Sequence, residues 1–588
     1  MCGIFGVVSK NKWNTDKNIL FHRGPDDWGL VHKKCNDLWL SLFQSRLSII
    51  GLGSQGHQPY QKYKNYILAY NGEIYNYSKI KKQLIKKYKV NFTSETDTEV
   101  LYESIINNGL SKTLEIVDGI FSFCFFDQER SMLILGRDHL GVKPLYYHYS
   151  GDQLLFGSEP KVFFSTGYIK PVLNNNIIGE YFANGWVYEP DTLFNDIYKV
   201  EAGHYLSFDL KNKTIKSNKY WDVLDNNIED DYDIQDSIID QTVSDVPVGI
   251  YFSGGIDSSI IAYTLKDTKH KFLNLNLNDT ESIRTKQFEK LYNLKINKIN
   301  YESDKINFYD DLIYHIDEPI ADPAIIPTYL LAKKAREMDC TVMLSGMGGD
   351  EIDAGYTRHK ILLNLKKYRK YKLLPLLPIF SDKKIRDLIR LKNFLNNPHP
   401  SNYFSLTAYF SINEINDLVG VEWKKHYNSK IEKITSEING IKKYFYLDLK
   451  GFLTSHNLIY MDKASMAASV EVRVPILQKN IVKTFFSDID NVNMIEQKTR
   501  LKNILKKQQG SNYINIKKQG FRYPINDWII NQIQWGDVID GLGDFDINTQ
   551  LIEEWVKISK TNINQVSMKL WYIYTLYKWR EVFGVSNY

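Results

Sequence analysis

Through the first third of the chain apolar residues come in short runs, Ile120–Phe126, Met132–Leu135, Leu154–Phe156 and Leu206–Phe208, separated by Asp, Gly or Ser. Runs of that length, broken by turn formers, predict a β-rich domain. From Val246 the pattern changes. An apolar stretch with β-branched residues leads into Ser253-Gly254-Gly255-Ile256-Asp257-Ser258-Ser259, and the apolar series Ile260, Ile261, Ala262, Leu265 follows. That order is strand, tight loop, helix N-terminus. Phe272–Leu277 predicts a further parallel strand, and Thr341–Leu344 runs into a second glycine loop, Ser345-Gly346-Met347-Gly348-Gly349-Asp350-Glu351. Pro327 falls near the first turn of a helix carrying Leu330, Leu331 and Ala335. His359–Lys450 reads as a basic, Leu-rich helical insertion, and Val566–Val582, rich in Trp and Tyr, as a core helix. A polar stretch, acidic over Asp225–Asp236, divides the chain into residues 2–210, a linker over 211–236 and residues 237–588.

Two glycine loops of this kind can meet at the carboxyl edge of one parallel sheet, where ligands gather in open α/β folds. Gly254 and Gly255 let backbone N–H groups approach an anion, and the next helix adds unsatisfied N–H groups and its positive dipole end. Such a loop suits phosphate or pyrophosphate. It is not a Walker A loop, because no Gly-Lys-Ser/Thr follows. Asp257 and Asp350 are hard oxygen ligands fit for Mg2+ bridging phosphates. The acids of His315-Ile316-Asp317-Glu318-Pro319-Ile320-Ala321-Asp322-Pro323 stand at a strand-to-helix junction, where they can cap or border a site.

At 588 residues the chain exceeds one ordinary core, so two or more domains are expected. Hydrophobic content of 43% with 24% charged residues is that of a globular protein, and no apolar run reaches membrane-spanning length. A net charge of +5 is too small for this size to argue for nucleic acid or membrane binding. Cys2, Cys35, Cys124 and Cys340 form no CxxC pair, which excludes a zinc knuckle and suggests no disulfide framework. A cytoplasmic enzyme is the expectation.

The chain begins Met1-Cys2-Gly3-Ile4-Phe5-Gly6. If Met1 is removed, Cys2 carries a thiol and a free α-amine, whose pKa near 8 is about that wanted in a base for a neighbouring thiol. His22-Arg23-Gly24-Pro25-Asp26, Arg46-Leu47-Ser48-Ile49, Tyr70-Asn71-Gly72-Glu73, Ser94-Glu95-Thr96-Asp97, Asp118-Gly119-Ile120-Phe121 and Arg137-Asp138-His139-Leu140-Gly141-Val142-Lys143-Pro144 follow. In that order they resemble the class II glutamine amidotransferases. The resemblance implies an N-terminal nucleophile αββα sandwich with Cys2 as the attacking thiol. Arg46 suits bidentate capture of the glutamine α-carboxylate, and Asp97 its α-ammonium. Asn71 and Gly72 can serve the tetrahedral oxyanion. Glu73, by resemblance, helps hold the glutamine amine.

The second half resembles the glutamine-hydrolysing asparagine synthetases. Its Ser-Gly-Gly-Ile-Asp-Ser-Ser loop is similar to the pyrophosphate loop of the ATP pyrophosphatases, and Met461-Asp462-Lys463-Ala464-Ser465-Met466 through Arg473-Val474-Pro475 continues the likeness. The expected fold there is an α/β parallel-sheet ATP pyrophosphatase domain with helical insertions. By this resemblance Tyr251, Ser253, Gly254, Gly255, Asp257 and Ser258 take ATP and pyrophosphate, Ser345 and Gly346 contact the adenosine, and Lys518 touches the α-phosphate. ATP and Mg2+ are the implied cofactors, glutamine and a carboxylic acid the partners, with a homodimer expected from family habit. Aspartate is the first-choice acceptor. Two departures, Met347 where the family commonly has Glu and Gln478 where it has Asp, keep open a paralogue amidating another carboxylate, such as a uronic acid sugar. A ring-closing synthetase that needs no glutamine is disfavoured, since those lack the N-terminal cysteine.

Overall fold

The computed structural model describes residues 2–225, 233–276, 279–300, 306, 308–368, 383–491, 497–510 and 525–587. Two antiparallel sheets form the amino-terminal part. Its strands are β1 (Cys2–Ser9), β2 (Asp27–Cys35), β3 (Leu38–Arg46), β4 (Tyr66–Ile74), β5 (Gly119–Asp127), β6 (Met132–Arg137), β7 (Tyr146–Ser150), β8 (Gln153–Gly157), β9 (Tyr198–Lys199), β10 (His204–Asp209) and β11 (Thr214–Lys219). One sheet runs β2-β3-β1-β8-β7-β9 and the other β11-β10-β6-β5-β4. The period-2 pattern of each strand sorts its side chains between layers. Ile4 and Val8 of β1 meet Ile67 and Ala69 of β4 and Cys124 and Phe126 of β5 between the sheets. Phe5 and Val7 point the other way, into the large core shared with the rest of the chain. Leu68, Tyr70, Phe121, Phe123 and Phe125 pack under Ile80, Leu84 and Leu101 of the helices Tyr77–Tyr88 and Asp97–Asn108. Each fully buried Leu, Ile or Phe contributes about 1.5–3 kcal/mol. The strands at the start of the chain are thereby held on both faces.

The segment expected as linker over 211–236 contains regular structure at both ends of its described residues. β11 pairs antiparallel with β10, and Asp209 caps the turn by accepting from the N–H of Lys211 at 2.8 Å and Asn212 at 3.1 Å. With one apolar residue in Thr-Ile-Lys-Ser-Asn-Lys, β11 is a solvent-facing edge, which is why hydrophobic patterning passes over it. A helix over Ile234–Asp240 follows, tied down by Ser237 Oγ donating to Pro475 O at 2.7 Å.

The carboxy-terminal part is built on a parallel sheet, β12 (Val248–Tyr251), β13 (Lys271–Asn276), β14 (Ile296–Asn300), β15 (Val342–Leu344) and β16 (Glu471–Arg473), in the order β14-β13-β12-β15-β16. β12 and β15 are neighbours, so the loops after them open side by side at the carboxyl edge. The insertion is helical where described. Its last run is one rod, α over Lys442–Leu447, a wider π-helical stretch over Asp448–Asn457, then α again over Leu458–Met466. A long helix, Thr549–Phe583, kinked at Asn562 (φ −148°, ψ 73°), buries Leu570, Trp571, Ile573 and Trp579 and covers the back of the core.

Candidate active sites

β1 starts at Cys2, and its register with β3 sets Cys2 directly opposite Arg46. β4 of the other sheet brings Asn71 to the same point. The Cys2 nitrogen, which would become the free amine on removal of Met1, donates to Asn71 Oδ1 at 2.9 Å. Burial pushes the Cys2 thiol above its ordinary pKa, with the Arg46 charge among the opposing influences. Arg46 is itself wrapped by the loop after β3. It donates to Gly53 O at 3.1 Å, Ile50 O at 3.2 Å and Gly51 O at 2.5 Å, and a Cβ on Gly56 would lie 1.9 Å from its Nη2. The guanidinium is therefore fixed before any carboxylate arrives.

Gly72 has φ +148°, and a Cβ there would meet Ile120 O at 2.0 Å. Only glycine allows the backbone to run so close to β5 beside Asn71. Asn71 Nδ2 faces Ser122 Oγ at 3.4 Å. Asp97, at the first turn of its helix, accepts from Tyr70 Oη at 2.7 Å and the Ile74 N–H at 3.1 Å. Glu73 and Asp97 form a buried acid pair. Burial, and then the Asp97 charge, pushes Glu73 well above the carboxylate range, and burial also raises Asp97. Cys2, Arg46, Asn71, Gly72, Glu73 and Asp97 thus line up along the β1–β3 and β4 ends where the two sheets meet.

One partner of this cluster comes from the far half of the chain. Arg473 of β16 places Nη2 3.3 Å from Glu73 Oε2, donates through Nε to Glu471 at 2.6 Å, and its carbonyl accepts from the Ser345 N–H at 2.9 Å. Arg473 and nearby charges hold Glu471 down at about 2 against its burial. Val470, Val472 and Val474 alternate with Glu471 and Arg473, but the strand is only three residues long, so the sequence marks it as a motif rather than as an element.

In the second site, Gly254 (φ +70°) turns the chain after β12, and Ser253 and Ser258 clasp the loop. Ser258 Oγ accepts from the Ser253 N–H at 3.3 Å and lies 3.1 Å from Ser253 Oγ, which accepts from the Gly255 N–H at 3.3 Å. The second loop packs straight onto the first. A Cβ on Gly346 would sit 2.8 Å from Asp257 Cβ and from the Ser258 nitrogen, and one on Gly349 2.5 Å from Asp257 Oδ1. Between them opens a cavity of about 400 Å³ lined by Tyr251, Ser253, Gly255, Asp257, Ser258, Ser345, Gly346, Met347 and Asp350 among others. Lys498 ion-pairs with Asp257 and with Asp350, the latter at 2.9 Å, and the two carboxylates raise its pKa despite burial. Two acids meeting one buried cation form a donor set that Mg2+ uses when substrate phosphates complete its shell.

Lys498 escapes sequence reasoning because it is one lysine in a Lys-rich stretch; its left-handed backbone at a helix start (φ 55°) has no composition signal. Glu351, bonded to Tyr356 Oη at 2.6 Å and Asn457 Nδ2 at 2.8 Å, lines the same cavity and was not singled out either. Lys518 lies outside the described residues. Gln478, expected near the acceptor, caps the helix Lys479–Ser487 through Oε1 and donates through Nε2 to Asp118 at 2.9 Å; it is among the lining residues of neither large cavity described here. Its side chain serves a helix cap and the contact with Asp118.

Between the two sites runs a network of buried ions. Arg23 donates through Nε to Cys2 O at 3.1 Å, through Nη1 to Glu159 at 3.0 Å and through Nη2 to Asp462 at 2.8 Å. Lys161 bridges Glu159 (2.6 Å) and Asp317 (3.3 Å), and Lys463 pairs with Asp317 at 3.0 Å. Lys199 and Tyr146 Oη hold Glu318 at 2.8 and 2.6 Å. The acids of the His315–Pro323 stretch therefore bind the two halves together.

A sandwich sheet pair presenting an amino-terminal cysteine, joined to a parallel sheet with paired glycine loops, defines a glutamine-dependent carbon–nitrogen ligase. The glutamine amidotransferase domain model matches residues 1–221 and the asparagine synthase model residues 231–543. The chain belongs to the asparagine synthase family. It is 28% identical over 638 aligned residues to asparagine synthetase [glutamine-hydrolyzing] 1 of Bacillus subtilis, covering 99% of this chain and 97% of that one. It is 31% identical to putative asparagine synthetase [glutamine-hydrolyzing] 2 of Methanocaldococcus jannaschii over 61% of this chain and 76% of that one.

Proposed function

We propose that the chain moves the amide nitrogen of glutamine onto a carboxylic acid that it first activates with ATP. The Cys2 thiolate attacks the glutamine amide, ammonia leaves, and water releases glutamate from the thioester. Arg46 and the Glu73–Asp97 pair hold the two ends of the amino acid while the Asn71–Gly72 turn receives the oxyanion. In the second cavity an acceptor carboxylate oxygen attacks the α-phosphorus of ATP and pyrophosphate leaves toward Ser253–Ser258. Ammonia then displaces AMP from the acyl-adenylate. Asp257 and Asp350 would hold Mg2+, which supplies positive charge to the phosphates. Lys498 adds a fixed cation beside them, and Lys518 is assigned to the α-phosphate by resemblance alone.

The observation that carries this reading is Arg23, whose one guanidinium touches both the Cys2 carbonyl and Asp462 of the synthetase half. An amidase or a ligase working alone would not need that tie. The relatives' names make aspartate the first acceptor to try. A second reading, a bulkier acid, is favoured by Met347, whose thioether lines the nucleotide cavity and can neither orient an ammonium nor carry a proton. The test is pyrophosphate and AMP formation with glutamine, ATP-Mg2+ and a panel of acids. Cys2→Ala should abolish glutamine-driven product while ammonia-driven product persists. Glutamine hydrolysis surviving in that variant, or ATP cleavage indifferent to every acid, would sink the proposal.

A further inference from the structure

A second chamber of about 500 Å³ adjoins the nucleotide cavity, and the two share Asp322, Ala324 and Phe452 as common wall. Its lining comes from both halves of the chain. Trp186 and Tyr188 belong to the segment after the helix Ile178–Asn184, Tyr403 and Tyr409 to the insertion, and Tyr572 to the long last helix. Among these rings stand buried polar side chains that each keep one unsatisfied nitrogen. Arg358 is nine-tenths buried, stacked between Tyr356 (4.1 Å) and Phe452 (4.4 Å), and bonded through Nε to Asp448 at 3.0 Å, yet its Nη2 has no hydrogen-bond partner. His456 is 2% exposed, its Nε2 lies 3.4 Å from Asp322, and its Nδ1 is likewise unmet. A buried donor left so carries a desolvation cost that a ligand can recover.

We propose that this chamber holds the body of the acceptor, a ring-bearing, polyhydroxylated carboxylic acid larger than aspartate, whose carboxylate reaches past Asp322 and Phe452 to the nucleotide. The inference rests on the amidation reading above and names its substrate class. Size is the first argument. Aspartate would leave most of a chamber on the drug-pocket scale unfilled, and so leave Arg358 Nη2 and His456 Nδ1 unmet. Chemistry is the second. The wall offers donors (Arg358 Nη2 and Asn184 Nδ2) and an acceptor (Asp322) between flat rings. Hydroxyls satisfy both kinds at once, and a sugar-like ring lays its C–H face on an aromatic one. A purely apolar acid would strand these groups. The charged side chains here, Arg358 with Asp448 and Asp322, do not sum to a positive pocket, so a second anionic group is not what the chamber selects.

The enzyme is assayed for pyrophosphate release with glutamine, ATP-Mg2+ and, in turn, aspartate, D-glucuronate, D-galacturonate and the methyl glycosides of the two sugar acids. The expected result is a kcat/KM for one of the sugar acids at least about tenfold above that for aspartate. Ser567→Trp, which fills the chamber from the last helix, should raise the KM for that acid about tenfold while the KM for ATP and glutamine hydrolysis stay put. Tyr409→Ala provides a second variant that removes no core, since Tyr409 is 42% exposed. Aspartate as the better acceptor, or a sugar-acid KM unmoved by both variants, overturns the inference. Hydrolysis of glutamine with no acid releasing pyrophosphate refutes the amidation reading itself and takes the inference with it.

Discussion

Gly72 is the residue whose replacement is most narrowly constrained. Gly72→Ala drives a methyl into Ile120 O and asks an L residue for φ +148°. Displacing the Asn71–Gly72 turn by a fraction of an ångström should cut glutamine hydrolysis about 10²-fold, with ammonia-driven synthesis retained, as steady-state rates on the two nitrogen sources would report. The Glu73–Asp97 pair makes a pH prediction. Burial and the Asp97 charge raise the pKa of Glu73 against the pull of Arg473, and only its ionised form pairs fully with the glutamine ammonium. Its pKa is raised in the free enzyme, so affinity should be weak below that raised value and strengthen as pH climbs through it. The KM for glutamine should accordingly fall with rising pH, and Glu73→Gln should flatten the profile. In the other site, Lys498→Met should lower pyrophosphate release about 10²–10³-fold and leave glutamine hydrolysis alone, since the charge facing Asp257 and Asp350 is lost. These residues differ in how visible they were. Arg46, Asn71, Gly72 and Asp97 stand in tight motifs that the chain alone displays. Lys498 acts through a backbone turn and two distant acids, neither of which leaves a local mark.

At the scale of elements, the strands that carry a short apolar run bounded by turn formers are the readable ones. β5, β6, β8 and β10 follow their apolar runs to within a few residues, and the strand, loop and helix around Ser253–Ser259 fall where hydrophobicity and glycine put them. β11 falls inside the expected linker because Thr-Ile-Lys-Ser-Asn-Lys carries a single apolar residue, and β16 is legible only as a motif because it is three residues long, although Val470, Val472 and Val474 alternate with Glu471 and Arg473. The π-helical stretch over Asp448–Asn457 was equally silent, since its wider turn is set by what it packs against. That stretch supplies Asp448, Phe452, His456 and Asn457 to the two cavities. The aromatic chamber was the least legible feature of all, being assembled from segments hundreds of residues apart.

Over the whole molecule the contact between halves joins a shared apolar core to a set of buried ion pairs. Removing one member of such a set leaves a charge stranded, which is more damaging than the pair was stabilising. Asp462→Asn takes the counter-charge from Arg23 at 2.8 Å and from Lys143 at 3.4 Å. It should cost about 3–5 kcal/mol, read as a lower denaturant midpoint, and should loosen the tie between glutamine hydrolysis and ATP use, read as glutamate formed in excess of AMP. Asp462 stands on the same rod as the π-helical stretch, little more than about one turn beyond its end. Losing or gaining a single residue within that stretch would swing one end of the rod about 100° against the other. The ring-lined wall and the ionic seam would then fall out of phase together. Descendants of this chain can retune what they accept by exchanging side chains, but indels in this rod are closed to them.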